Sequence, residues 1–155
     1  MSASSAHPGI GARHHRTPLE ITALGAGAVF ALVGVLGFIP GVTTNYAEMT
    51  FAGTGSGAML LGIFQVSILH NIVHLLFGAA GLLMGRSALQ SKYYLIGAGA
   101  LYLVIWLYGL LIDQASSANF IPVNTADNWL HVVLGVVMLA VGILLGRGTG
   151  QAKAR

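Results

Sequence analysis

The chain has 155 residues, of which 7% are charged and 55% hydrophobic, and its mean hydropathy is +0.80. A water-soluble domain carries about 25% charged residues, so the composition excludes a soluble globular enzyme and places the chain in a bilayer. The net charge of +3, seven Lys and Arg against four Asp and Glu, comes with no basic face on which a phosphate backbone could lie, which excludes nucleic acid as a partner. With no cysteine, disulfides, thiol nucleophiles, iron–sulfur clusters and Cys zinc sites are all removed.

Residues 1–18 read as a disordered polar arm, rich in Ser, Pro and Gly, in which Arg13, His14, His15 and Arg16 touch anionic lipid. The first span, residues 19–39, is apolar apart from Glu20 and Thr22. At about 1.5 Å per residue it can cross a hydrocarbon core of about 30 Å. It follows a basic segment, but the apolar run is too long for a signal peptide and no small-x-small site follows Phe38, so it is expected to be retained. Glu20, at the mouth of this span, reads as a cap. Residues 41–66 are Gly-rich and polar before turning apolar, and residues 57–67 fit either an outer loop or an early start of the second span. The second span covers 68–85, and Arg86, Gln90 and Lys92 form a turn, with Tyr93 and Tyr94 as interfacial anchors beside it. The third span covers 93–112. A polar loop, 114–125, leads to the fourth span at 126–146 and a basic tail at 147–155.

Four crossings put both termini and the 86–92 turn on one side, and all seven Lys and Arg fall there. The excess of positive charge makes that side cytoplasmic. Glu48, Asp113 and Asp127 lie in or beside the two outer loops. The predicted fold is therefore all-α: a four-transmembrane-helix bundle in the cell (inner) membrane with both termini cytoplasmic.

Self-comparison indicates a repeat. Residues 64–78 align without gaps on 121–135 with Val, Asn, His and Gly in common, four identities in fifteen positions. Further on, Gly81-x-x-x-Gly85-Arg86 matches Gly142-x-x-x-Gly146-Arg147 after a shift of four residues. The chain then reads as two tandem two-helix hairpins related by an axis along the membrane normal. Asn71, His74, Gly78, Gly81 and Gly85 form one helical stripe, repeated by Asn128, His131, Gly135, Met138 and Gly142. Small residues in a stripe allow close backbone approach in lipid, so the second and fourth helices are expected to meet at the centre, with the first and third outside. Gly81-x-x-x-Gly85 fits a dimer face equally well, leaving a second copy or another membrane protein open as partners beside the bilayer. Asn124 and Ser67 read as N-caps, with Asp127 and His70 at the third helical position.

The Leu69-His-Asn-x-Val-His-x-x-x-Gly78 stretch and the later Asn128-x-x-His-x-x-x-Gly135, on four short spans, resemble a family of small four-helix membrane proteins described as a domain of unknown function. The resemblance covers about Thr17 to Gly146 and implies an integral membrane protein, with no activity or cofactor to carry over. Where that family often has Pro and Asn before the first His-Asn pair, this chain has Gln65 and Ser67. A looser likeness, of fold only, is to small four-helix membrane proteins associated with quinone oxidoreductases.

Ionisable groups at membrane depth are costly, which makes a functional role the default reading. His70 and His74, and Asp127 and His131, are spaced i, i+4, and the four could ligate Zn, Fe or Cu with Asn71 and Asn128 behind them. Alternatively His74 and His131 hold a haem, although the glycine stripe leaves little room, or the cluster is a quinone or proton-relay site lined by Tyr102 and Trp106. Against these stands a scaffold role, in which Asn71 and Asn128 bond across the pseudo-twofold to His131 and His74. No nucleophile–base pair indicates a hydrolase or transferase, and unbroken, tightly packed spans disfavour a transporter. The expectation is a non-enzymatic accessory protein, with a subunit holding a metal, haem or quinone as the alternative.

Overall fold

The computed structural model describes residues 15–149. Four helices carry it: α1 Pro18–Leu36, α2 Ile68–Met84, α3 Ala88–Leu111 and α4 Thr125–Leu145, the last extended by one 3₁₀ turn, Gly146–Gly148. Three are long and apolar enough to cross a membrane: Pro18–Leu36, Ala88–Leu111 and Thr125–Gly148. The shorter α2 is apolar too, and its 17 residues stand at the lower limit for a span. The arm up to residue 14 and the tail from residue 150, with His14, Lys153 and Arg155, lie outside the described residues.

Each helix starts where local chemistry supplies its free N–H groups with acceptors. Thr17 and Glu20 form a capping box on α1, closed by Thr17 N donating to Glu20 Oε2 at 2.7 Å. Asn124 and Asp127 do the same for α4, and Ser67 accepts from His70 N to open α2. Such caps contribute about 1 kcal/mol each. The third helix begins five positions earlier than its apolar pattern indicates, because Ser87 accepts from Gln90 N and draws the polar Gln90–Lys92 stretch into the first turns. The first helix stops at Leu36 and not at Ile39, where Gly37 and then Pro40 end it.

Residues 57–67 belong to the loop between α1 and α2. Three two-residue strands, β1 Thr43–Thr44, β2 Met59–Leu60 and β3 Phe64–Gln65, form an antiparallel meander in the order β1-β2-β3. Leu61 and Gly62, at φ +55° and +70°, lie in the three-residue turn, Leu61 to Ile63, between β2 and β3, a backbone geometry that keeps the segment out of a helix. Thr43, Ser56 and Val66 are buried beneath this cap, and Ser56 Oγ donates to Val66 O at 2.5 Å.

The packing order differs from the expected one. The two extensive helix seams are α1 with α2 and α3 with α4, and the two pairs meet chiefly where α3 lies against both α1 and α2. The second and fourth helices are not the central pair. Their glycines pack inside their own hairpins, because α1 and α3 carry small residues at the matching heights. A Cβ on Gly78 would lie 2.5 Å from Ala31 N, and one on Gly81 2.6 Å from Gly27 Cα. In the other pair, a Cβ on Gly99 would lie 2.6 Å from Leu139 N, and one on Gly135 2.8 Å from Leu103.

The two seams correspond residue by residue. Gly85 meets Leu24 as Gly142 meets Ile96, and Gly27 meets Leu82 as Gly99 meets Leu139. These pairs keep one constant offset between α1 and α3, and another between α2 and α4, through to the inner ends. The contacts therefore match Gly85 with Gly142, without the four-residue shift expected from the Gly-Arg pairs. The Gly-Ala-Gly-Ala sequence that starts at Gly25 and recurs at Gly97 lies in the same correspondence.

Small and polar residues share the interior with a few large ones such as Leu95, Phe30 and Tyr102, while many large apolar side chains face out: Leu76 is 63% exposed, Trp129 69% and Leu111 77%. Such an apolar exterior suits a surface solvated by acyl chains.

Candidate functional site

Between the hairpins runs a column of rings. Phe30 and Tyr102 stack at 5.4 Å with their planes 8° apart, and Phe77 meets both edge-on at 6.0 and 5.8 Å. Above them, Tyr102 touches the His131 ring at 5.1 Å and Phe30 the His74 ring at 6.0 Å. His74 stacks on His70 at 4.7 Å, and His70 lies 6.5 Å from His131. Three imidazoles from two different helices thus converge at the end of the aromatic column nearer the N-termini of α2 and α4.

They line a cavity of about 230 Å³ between α2 and α3. Its walls are otherwise apolar, from Val73, Phe77, Ile105 and Tyr102, and its roof is Phe120, Ile121 and Val123 of the loop between α3 and α4. Three lining residues are exposed, Val104 at 62%, Tyr108 at 39% and Phe120 at 55%, so the mouth opens on the apolar flank. Tyr108 Oη donates to Ala118 O, which ties the loop to the end of α3. Asn119 shapes that loop from inside: it is fully buried, donates to Gln114 O and Val123 O, and accepts from Val123 N, all at 3.0 Å.

The hydrogen bonds of the three rings differ. His70 Nδ1 lies 3.0 Å from Pro122 O and His74 Nδ1 lies 3.1 Å from His70 O. Carbonyl oxygens only accept, so both Nδ1 atoms carry the proton. His131 Nδ1 is buried and has no partner among the described residues.

Asp127 does not join the rings. Its Oδ2 accepts from Asn124 N at 2.9 Å and from Gln65 N at 3.1 Å, so the carboxylate caps α4 and clamps β3 to it. The set His70, His74, Asp127 and His131 therefore does not assemble as four ligands. Among the described residues no group of three or more His, Cys, Asp or Glu is placed to hold a metal ion.

Nor do the asparagines bond across the hairpins. Asn128 Nδ2 donates to Gly109 O at 3.1 Å within its own hairpin. Asn71 is fully buried against Gly37, and its one polar contact is from Nδ2 to Met49 Sδ at 4.0 Å. The Oδ1 atoms of both are without partners among the described residues. Each asparagine fills the space left by a glycine on the neighbouring helix, which separates it from the opposite histidine. Glu20 is buried and held in its capping box. Trp106 is not among the cavity residues, and Tyr102 is.

Sequence reasoning missed Phe30, Phe77 and the loop roof. Phe30 and Tyr102 each stand two residues after a Gly-Ala-Gly-Ala segment, so extending the self-comparison to the first and third helices would have paired them. Nothing in the sequence marks Pro122 O or Gln65 N, which are main-chain groups.

Residues 20–144 match the family model of a domain of unknown function (DUF4383), and the chain belongs to that family. None of the curated proteins and none of the solved structures matches it significantly.

Proposed function

We propose that this chain is a multi-pass protein of the cell (inner) membrane, built from two tandem copies of one helical hairpin with both termini cytoplasmic, and that its outer cavity binds a small lipid-soluble molecule. The carrying observation is the convergence of His70, His74 and His131 on an otherwise apolar cavity of about 230 Å³. A cavity of about 150 Å³ suffices for benzene, so the space accommodates a substituted aromatic ring or a short branched chain. Because the exposed rim residues belong to the apolar flank, the solute enters from the acyl-chain region. The imidazoles then give the apolar pocket a few fixed polar groups, the usual composition of a small-molecule site.

Two kinds of support bear on the hairpin repeat: the matched glycine contacts of the two seams and the recurrence of Val, Asn, His and Gly at equal spacing. The orientation rests on the distribution of Lys and Arg. The asparagines belong to the scaffold, as Asn128 satisfies Gly109 O. The histidines do not need each other for hydrogen bonding, and this favours the ligand reading over a purely structural cluster. The role is binding, in an accessory or carrier capacity, and no reaction is assigned.

The test is solvent extraction of the purified protein followed by mass spectrometry, comparing wild type with Ile105→Trp, which fills the cavity. A small apolar compound in near-stoichiometric amount, lost in the variant, is the expected outcome. Identical extracts from two equally folded proteins would refute the ligand reading.

A further inference from the structure

We infer that the molecule held in this cavity is a hydroxyl donor, a lipid-soluble phenol or alcohol that gives its O–H hydrogen to the histidine pair His70 and His74. This rests on the ligand reading above and adds the polarity of the recognition.

The argument starts from the main chain. The Pro122 and His70 carbonyls fix the proton of each ring on Nδ1. A neutral imidazole has one N–H and one lone pair, so Nε2 of each ring is left as an acceptor. No hydrogen bond among the described residues reaches Nε2 of His74, the His70 ring has a second main-chain contact at Gln65, and both rings line the cavity. The wall they share is therefore short of donors. His131 lines the same cavity at 5% exposure, while its Nδ1, without a partner among the described residues, is closed off from that space. Buried polar groups are paired in the great majority of cases, and a hydroxyl supplies the donor that the Nε2 wall lacks. A ketone, ether or ester offers acceptors alone and would leave two acceptors facing each other.

The rings are held rigidly enough to select. The His70 bond to Pro122 O joins α2 to the roof, and the His74 bond runs back one turn along the helix. Neither ring can turn its N–H toward a ligand without breaking a main-chain bond in an apolar setting, which costs more than it would in water. A site of this kind rejects an analogue that lacks the donor more strongly than one that lacks a methylene.

The experiment compares 4-hexylphenol with 4-hexylanisole, its methyl ether, by calorimetry on the full chain in detergent micelles. The same pair is run on His74→Phe, which keeps ring volume and removes the acceptor, and on His70→Phe. Each variant's unfolding midpoint is recorded alongside. The phenol is expected to bind about tenfold more tightly than the ether in wild type, after division by the ratio that His74→Phe gives, with the ether scarcely affected by the substitution. Equal binding of both probes, or tighter binding of the ether, overturns the donor inference and leaves the cavity reading standing. Failure of both probes to bind folded wild type overturns the cavity reading itself. A preference for the phenol that survives in both folded variants overturns the assignment to His70 and His74.

Discussion

Gly99→Ala isolates the seam between α3 and α4. A Cβ at this position would sit 2.6 Å from Leu139 N and 2.9 Å from Gly135 O. Both are main-chain atoms of α4, so no side-chain rotation relieves the clash. Ordinary contact begins at 3.4 Å, so the helices must part by about 0.8 Å (3.4 − 2.6) along that stretch. A gap of 0.5–1 Å forfeits a quarter to a half of the dispersion well of each atom pair, and each pair is worth about 0.1–0.2 kcal/mol. Over roughly 25 affected pairs the loss is about 1–2 kcal/mol, inside the range of about 1–3 kcal/mol for overpacked cores. Helix propensity does not offset it, because a membrane helix remains helical when it separates from its partners. Gly97 is the control: a Cβ there meets nothing within 4 Å, and Gly97→Ala should change stability by less than about 0.5 kcal/mol. Gly27→Ala, with Leu82 N at 2.7 Å, and Gly25→Ala, with open space, repeat the comparison in the first hairpin. The assay is reversible SDS unfolding in mixed micelles followed by circular dichroism. If Gly99→Ala is as stable as Gly97→Ala, the main-chain contact is not limiting and the seam argument fails. A penalty in one hairpin and none in the other would refute their equivalence.

Asp127→Ala removes the acceptor of both Asn124 N and Gln65 N; it should cost about 1–2 kcal/mol and speed amide exchange at Gln65, measured by hydrogen–deuterium exchange, whereas unchanged exchange there would show that the carboxylate does not clamp β3. Asn128→Ala leaves Gly109 O with only the long 3.4 Å contact from Gln114, and a loss of about 0.6–1.7 kcal/mol is expected in the same unfolding assay; a neutral outcome would mean that the amide is not holding α3 to α4. Because the chain has no cysteine, single replacements report orientation directly: Ser117→Cys should react with an impermeant maleimide on intact cells and Gln90→Cys only after lysis, and the reverse pattern would invert the proposed topology. Tyr108→Phe breaks the tie to Ala118 O and should loosen the cavity roof, seen as faster exchange at Val123 N with little change in the unfolding midpoint.

Much of the architecture is legible because apolar length and charge placement are properties of the chain read one residue at a time. The apolar runs, the caps at Asn124 and Ser67, and the recurring Asn, His and Gly positions required no knowledge of packing. The capping residues work through contacts three positions apart, so Asp127 at the third helical position of α4 was visible in advance. That its second bond goes to Gln65 N was not, since this partner lies 62 residues away along the chain. The outer meander was equally hidden, as two-residue strands are too short to set up an alternating pattern, and only the positive φ at Leu61 and Gly62 reveals the turn.

The choice of helix partners was decided in three dimensions. A glycine stripe says that some backbone comes close, but a helix of that kind pairs with whichever neighbour presents a complementary groove, and a bilayer supplies no hydrophobic force to prefer one over another. Gly27 and Ala31 on α1, and Gly99 on α3, provide those grooves, so each hairpin closes on itself and α1 and α3 meet through Phe30 and Tyr102. With that pairing the asparagines are drawn to Gly37 and Gly109 and away from the histidines. Asp127 is drawn to Gln65 in the loop between α1 and α2, and His70, His74 and His131 are left around a cavity. The sequence alone marks apolar helices of membrane-spanning character and the position of each polar group along its helix, because hydropathy and helical period are local. Which of those groups face one another, and that they face an apolar cavity and not each other, followed from steric fit between surfaces distant in the chain.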